Sequence, residues 1–143
     1  MSVKPVPDGY HSVTPYLVVE SVPRLLEFLR AAFGAVETER IDDGTGKILP
    51  AEVRVGDSMV MMGEAMDRLP PMPAVLYLYV NEVDAVHRRA VQAGATSLAE
   101  PADQFYGDRS GAVKDPCGNQ WWIATRVEEV SKEELNRRAA RRK

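Results

Sequence analysis

The stretch "YGDRSGAVKDPCGNQWWIAT" (residues 106–125) contains a strand signal at 110–115, a second at 119–127, and an Asp-Pro-Cys-Gly-Asn turn between them. Trp121 and Trp122 are neighbours on the second strand. Adjacent strand residues point to opposite faces of a sheet, so only one indole can enter a core packed against helices. The other needs a second apolar place, and a ligand site on the far face is such a place. Trp121 is expected against a helix and Trp122 in a cleft.

Working outward, the same pattern occurs twice. "YLVVESV" begins at Tyr16 and "YLYVNEV" at Tyr77, 61 residues on; "VGDSMVMMG" begins at Val55 and "CGNQWWIAT" at Cys117, 62 residues on. A nearly constant offset marks two copies of one strand–helix–three-strand unit. In the first copy, 11–19 reads as a strand with Pro15 at a strand entrance or sheet edge. Residues 21–34 read as a helix with Ser21 as N-cap, Pro23 in the first turn and Gly34 as its stop. Strands follow at 35–41, 47–55 and 58–63, with a hairpin turn over 42–46. Three prolines mark 64–74 as a linker. The second copy runs through a strand at 74–80, a helix at 81–95 capped near Asn81 or Asp84, a short strand within 96–106, and the two strands of the opening stretch.

These signals predict an α+β chain: an extended lead-in over 1–10, one domain over 11–127 (repeat one 11–63, linker 64–73, repeat two 74–127), and a C-terminal helix over 128–143. Each copy is too small to bury a sheet alone, so the two should share a core. In the tail, Ser131 and Glu134 match a capping box, and acidic residues precede basic ones, which suits the helix dipole. The basic end "RRAARRK" is therefore expected as a solvated helix terminus.

The chain has 143 residues, 45% hydrophobic and 27% charged, with a net charge of −3. That composition excludes a disordered chain, and the charge gives no general attraction to nucleic acid or anionic lipid. Cys117 is the only cysteine, so no intrachain disulfide forms and a cytoplasmic location is expected. No apolar run reaches membrane-spanning length, and neither nucleic acid nor membrane is an expected partner.

The duplicated unit, with "TPYLVV" (14–19), "AEVRVGDSMVMM" (51–62), "YGDRSGAVKDPCGNQWWIAT" (106–125) and "VEEVSKEEL" (127–135), resembles the vicinal oxygen chelate superfamily of glyoxalases, bleomycin-resistance proteins and dioxygenases. The closer resemblance is to its PhnB-like branch. It implies two curved half-sheets around a cleft, and a homodimer. Metal-using members place ligands at positions that map here to Thr14, Val60, Val75 and Trp122. Valine and tryptophan offer a cation nothing, and threonine only a neutral hydroxyl. Pro50 and Ala51 stand where PhnB-like relatives often carry a histidine. His11 precedes the first strand, and His87 is expected as a solvated helix residue. No metal site and no other cofactor is therefore expected.

Alternation then gives the cleft wall: Thr14, Tyr16, Ser58, Val60, Met62, Tyr77, Tyr79, Gln120 and Trp122. Leu17, Val19, Met59, Met61, Leu76, Leu78, Trp121 and Ile123 face the helices. Arg54 and Arg109 are candidates to meet an anionic ligand group or to pair with Glu52 and Asp108. Phe105 and Tyr106 sit on a loop able to close the mouth or pack beneath it. The expected ligand is a small aromatic or apolar molecule, held by stacking with a few polar contacts. Two alternatives stand beside this. One is an enzyme of the same fold, of lyase, isomerase or dioxygenase type, using Tyr77, Glu52 or Arg109 or an unrecognised metal site. The other is a vestigial cavity on a protein whose working surface is an interface. Cys117 has no neighbouring group to activate it and reads as a small apolar filler.

Overall fold

The structure, a computed structural model, describes residues 3–42, 44 and 48–142. Most of the hairpin turn expected over 42–46 lies outside the described residues. The elements are β1 (Tyr16–Val19), α1 (Val22–Phe33), β2 (Val36–Asp42), β3 (Ile48–Val55), β4 (Ser58–Glu64), β5 (Val75–Tyr79), α2 (Val83–Gln92), β6 (Thr96–Asp103), β7 (Asp108–Lys114), β8 (Gln120–Arg126) and α3 (Lys132–Ala140).

They form two four-stranded sheets with the same internal order, β1-β4-β3-β2 and β5-β8-β7-β6. In each, the first strand pairs parallel with the fourth and the other neighbours are antiparallel. The two sheets even share irregularities: both edge pairs, β2–β3 and β6–β7, carry register shifts. The expected short strand in 96–106 is eight residues long. Pro101 is tolerated within it because β6 is an edge strand with shifted register.

Helices cover one face of each sheet and pack on one another, with Arg89 Nε donating to the Ala32 carbonyl at 2.9 Å. In α1 the Ser21 hydroxyl accepts from Arg24 N at 3.3 Å and Gly34 is the C-cap. Its buried stripe is Val22, Leu25, Leu26, Phe28, Leu29 and Ala32. Phe33 lies against Trp121 with ring centroids 5.0 Å apart, so the first helix reaches the second sheet. One continuous core results. At the start of α2, Glu82 makes no side-chain cap. Instead Thr125 of β8 accepts from Val83 N at 3.0 Å and donates to the Val80 carbonyl at 2.8 Å. His87, expected in solvent, is buried, with Nε2 3.2 Å from Ser97 Oγ. The helical period of α2 puts it beside Val83 and Val86 on the core face, which its flanking arginines disguised.

The Asp-Pro-Cys-Gly-Asn turn is organised by one buried carboxylate. Asp115 Oδ1 accepts from Cys117 N (2.8 Å) and Asn119 N (3.0 Å); Oδ2 accepts from Asn119 Nδ2 (3.1 Å) and Trp121 Nε1 (2.9 Å). Asn119 Oδ1 then accepts from Ala74 N at 3.0 Å, which ties the turn to the entrance of β5. Cys117 packs against the core, its Sγ 3.6 Å from the Ser21 carbonyl, and burial pushes its thiol up to about 11. It is an unreactive filler at neutral pH.

Ser131 caps α3 by accepting from Glu134 N at 3.1 Å. The reciprocal half of the capping box is missing, because the Glu134 carboxylate binds Arg137 and Arg138. No helix among the described residues is long and apolar enough to cross a membrane.

Candidate ligand-binding face

The face of each sheet away from the helices is open. In the second sheet Leu76 pairs with Trp121, and Tyr77 with Trp122. Trp121 is buried in the core with Leu76 and Leu78 packed near it. Trp122 shares the open face with Val75, Tyr77, Tyr79, Gln120 and Ala124. The alternation read from the two tryptophans thus places their strand.

The first sheet differs from expectation. Tyr16 pairs with Met61 and Leu17 with Met62, so Met59 and Met61 take the open face. Val60 and Met62 are buried in the core against the helices, and Ser58 shares their parity. By cross-strand register Met61 corresponds to Trp122 just as Tyr16 corresponds to Tyr77, one constant offset. The longer offset read at the Gly56 and Gly118 turns is one residue too many, and a slip of one exchanges the two faces. Arg54 pairs with Met59, so it does lie on the open face and is exposed; Glu52 joins it there. Glu52 accepts from the Tyr10 hydroxyl, which folds the lead-in onto this face. Thr14 lies just ahead of β1. Tyr16 rests over Gly63, where a Cβ would fall 2.3 Å from its hydroxyl oxygen, so a larger residue would displace the ring.

Arg109 leaves the expected group. It pairs with Thr125 on the helix-side face of β7. Its guanidinium binds both Asp84 oxygens at 2.7 and 3.0 Å and Asp103 at 3.2 Å, which are internal ion pairs, but not with Glu52 or Asp108. Phe105 and Tyr106 sit on the β6–β7 turn, with ring centroids 5.2 Å apart. That turn is clamped rather than free. Gly107, at φ +101°, accepts from Val127 N and Glu128 N, and a Cβ on it would lie 2.4 Å from the Glu128 carbonyl. Arg138 of α3 donates to the Phe105 carbonyl at 3.1 Å, and Arg142, just beyond the helix, stands 4.4 Å over the Phe105 ring.

The centre of the open face is Asp108. It is buried, and its Oδ2 accepts from Tyr77 (2.7 Å) and Tyr79 (2.8 Å). Asp108 belongs to β7 and the tyrosines to β5, with β8 between. Neighbouring strands lie about 4.8 Å apart, so both phenols must span β8 to reach it. Ala124 and Ser110 lie in the row of Tyr79 and are small enough to let a ring cross. The result is a pinned pair of rings, centroids 5.3 Å apart, still about half exposed at 46% and 54%. Arg126 Nε stands 3.0 Å from Asp108 Oδ1. That contact is an ion pair without hydrogen-bond alignment; Asp108 Oδ1 and Ser110 Oγ have no hydrogen-bond partner among the described residues.

Arg126 is the residue that sequence reading missed. Its signal was available: it stands four residues after Trp122, on the same face by alternation.

Burial, and then the hydrogen bond to Asp108, hold the Tyr77 phenol well above its ordinary range, with Tyr106 adding to the effect. A phenol favoured in its protonated form by folding contributes stability that is complete below about pH 10 and is lost as pH rises beyond. Absorbance at 295 nm during alkaline titration should therefore show one tyrosine ionising only as the fold melts. Tyr77→Phe should remove that late fraction. Its persistence in the variant would count against the assignment.

The resemblance to metal-using proteins implies ligand positions on the open faces, and in this register those positions hold Met61, Val75 and Trp122, with Thr14 just ahead of β1. None is an imidazole or carboxylate, and among the described residues no group of three His, Cys, Asp or Glu is placed to hold an ion. These residues do not fit the metal.

A family model described as the Glyoxalase/Bleomycin resistance protein/Dioxygenase superfamily matches residues 9–123. The chain belongs to this superfamily. Among curated relatives of this glyoxalase-superfamily chain, an uncharacterized protein of Mycobacterium bovis is 33% identical over 135 residues, covering 87% of this chain and 89% of that protein. Among solved structures, TioX from Micromonospora sp. ML1 superposes with a TM-score of 0.71 at 21% identity, covering 82% of this chain and 99% of that one. A glyoxalase/bleomycin resistance protein/dioxygenase from Nocardioides gives 0.63 at 16% identity, covering 85% and 87%. At those identities the structural likeness carries the fold and no chemistry.

Proposed function

We propose that this superfamily member belongs to the PhnB-like branch that the motifs at 51–62 and 106–125 resemble, and that it binds a small planar aromatic or apolar molecule without a metal. The observation that carries this reading is an aromatic row on one open sheet face, half-exposed Tyr77 and Tyr79 beside partly buried Trp122, with both phenols fixed by Asp108. Rigid aromatic side chains give large contact area at low ordering cost. A second copy of the chain supplies the cover: Tyr16, on the open face of the first sheet, is 48% exposed. A homodimer that sets one chain's first sheet over the other's second buries both aromatic faces in two equivalent clefts.

A second reading, an enzyme with non-standard acid–base groups, has one observation behind it, the raised Tyr77 phenol. The direction suits a proton donor and not a base, and the proton is already held by Asp108.

Calorimetry with 2-naphthol as a planar probe tests the binding reading. Saturable binding is expected, weakened by roughly tenfold in Trp122→Ala, with no saturable uptake of Ni²⁺, Mn²⁺ or Zn²⁺ at micromolar concentration. Sedimentation velocity is expected to give a dimer, dissociated by Tyr16→Glu. Tight metal uptake with no probe binding would sink the reading.

A further inference from the structure

We infer that Arg126 is the specificity-determining residue of this face and that the ligand is a planar aromatic carrying an oxygen acceptor, a carboxylate or carbonyl, which the Arg126 guanidinium receives. The inference rests on the binding reading above and narrows the ligand class.

Arg126 pairs with Asp108 across β7 and β8, two residues beyond Ala124, which is itself opposite Tyr79. It therefore stands at the edge of the tyrosine pair. Its position is fixed from two sides. Asp108 Oδ1 holds Nε at 3.0 Å, and a Cβ on Gly107 would lie 3.3 Å from an Arg126 Nη atom, which places the fork beside the turn bearing Tyr106. Yet the side chain remains 45% exposed. A guanidinium presents several N–H donors in a fixed plane and no acceptor. Part of that fork lies against Asp108; the rest faces outward at the rim of the rings.

The same geometry disfavours a cationic ligand. Asp108 is the carboxylate nearest the rings, but it is buried, its Oδ2 accepts from two phenols, and its Oδ1 is covered by Arg126. The charges this face leaves accessible on its strands are Arg126 and Lys114, which shares the row of Gln120. Glu128, just beyond, is taken by both ends of the Arg138 fork at 2.9 and 2.7 Å. A ring stacked on Tyr77 and Trp122 thus meets donors at its edge, and an oxygen acceptor satisfies them where an ammonium group cannot.

Two probes that share a ring and differ in the edge group test this by calorimetry at pH 7.5: 2-naphthoate and (2-naphthyl)methylammonium. The wild-type protein is expected to bind the carboxylate at least about tenfold more tightly. Arg126→Gln should bring the two affinities within about twofold. Arg126→Lys keeps a charge for Asp108 but loses the fork, and should recover only part of the preference; it also serves if Arg126→Gln does not fold, which near-ultraviolet circular dichroism will report. Equal affinities in the wild-type protein, or a preference that survives both variants, would overturn the inference while leaving the cleft in place. Failure of both probes to bind would remove the cleft reading itself and this inference with it.

Discussion

Asp115→Ala is expected to lower the melting temperature by roughly 12 °C, from a loss of about 4 kcal/mol at roughly 3 °C per kcal/mol for a chain of this size. The carboxylate accepts from four donors in a buried turn: Cys117 N, Asn119 N, Asn119 Nδ2 and Trp121 Nε1. Stranding one buried donor costs about 1–3 kcal/mol, and partial relaxation keeps the sum below the simple total. Burying a carboxylate is itself costly, and such groups are often replaced by apolar residues at little loss. That escape is closed here. Two of the donors are main-chain N–H groups, which no substitution other than proline removes. Asp115→Asn should lie between, since an amide oxygen accepts while its NH₂ faces further donors. Thermal unfolding followed by circular dichroism checks both variants, and a shift under about 3 °C for Asp115→Ala would show that water satisfies the turn instead.

This turn also shows why the fold was readable from sequence. The two tryptophans declare a strand with a core face and a second occupied face. The repeat offset supplies the first sheet from the second, and Ser21, Gly34 and Ser131 mark helix ends through local hydrogen bonds. All of these are short-range signals. The failures lie where local pattern does not decide. The offset between the glycine turns sets Val60 and Met62 on the open face, one residue out of the true register, and nothing local corrects it because Val-Met-Met is apolar on both parities. His87 looked solvated because its sequence neighbours are arginines, although helix neighbours are three and four residues away.

The candidate site was legible in its rings and illegible in its polar centre. Tyr77, Tyr79 and Trp122 follow from alternation along two strands. Their junction at Asp108 does not, because it depends on strand order, with β8 inserted between β5 and β7. Arg109 is adjacent to Asp108 in sequence and lies on the opposite face, where Asp84 and Asp103 engage it. The real partner, Arg126, comes from the facing strand. Charge pairing in a sheet follows cross-strand register, which sequence proximity misreports.

Asp108→Asn is expected to weaken 2-naphthoate binding by roughly tenfold while moving the melting temperature by only a few degrees. The small stability change has two causes. Tyr77 and Tyr79 are about half exposed, so water can serve their hydroxyls once released. Removal of a buried charge also returns part of its desolvation cost. The binding loss comes from order. The carboxylate holds two phenols and one guanidinium at once, whereas an amide has one acceptor oxygen and turns donors toward groups that are themselves donors. Rings and fork left unpinned must be ordered again by the ligand, at about 0.5–1.5 kcal/mol per side chain, and two or three such side chains reach the tenfold scale. The same variant should let Tyr77 ionise at lower pH, because the hydrogen bond to Asp108 is second only to burial in holding its proton. Calorimetry and a titration at 295 nm on one preparation separate the effects. If Tyr77 ionises earlier yet the affinity is unchanged, the rings bind without needing Asp108 to hold them, and the carboxylate's role is confined to the charge of Arg126.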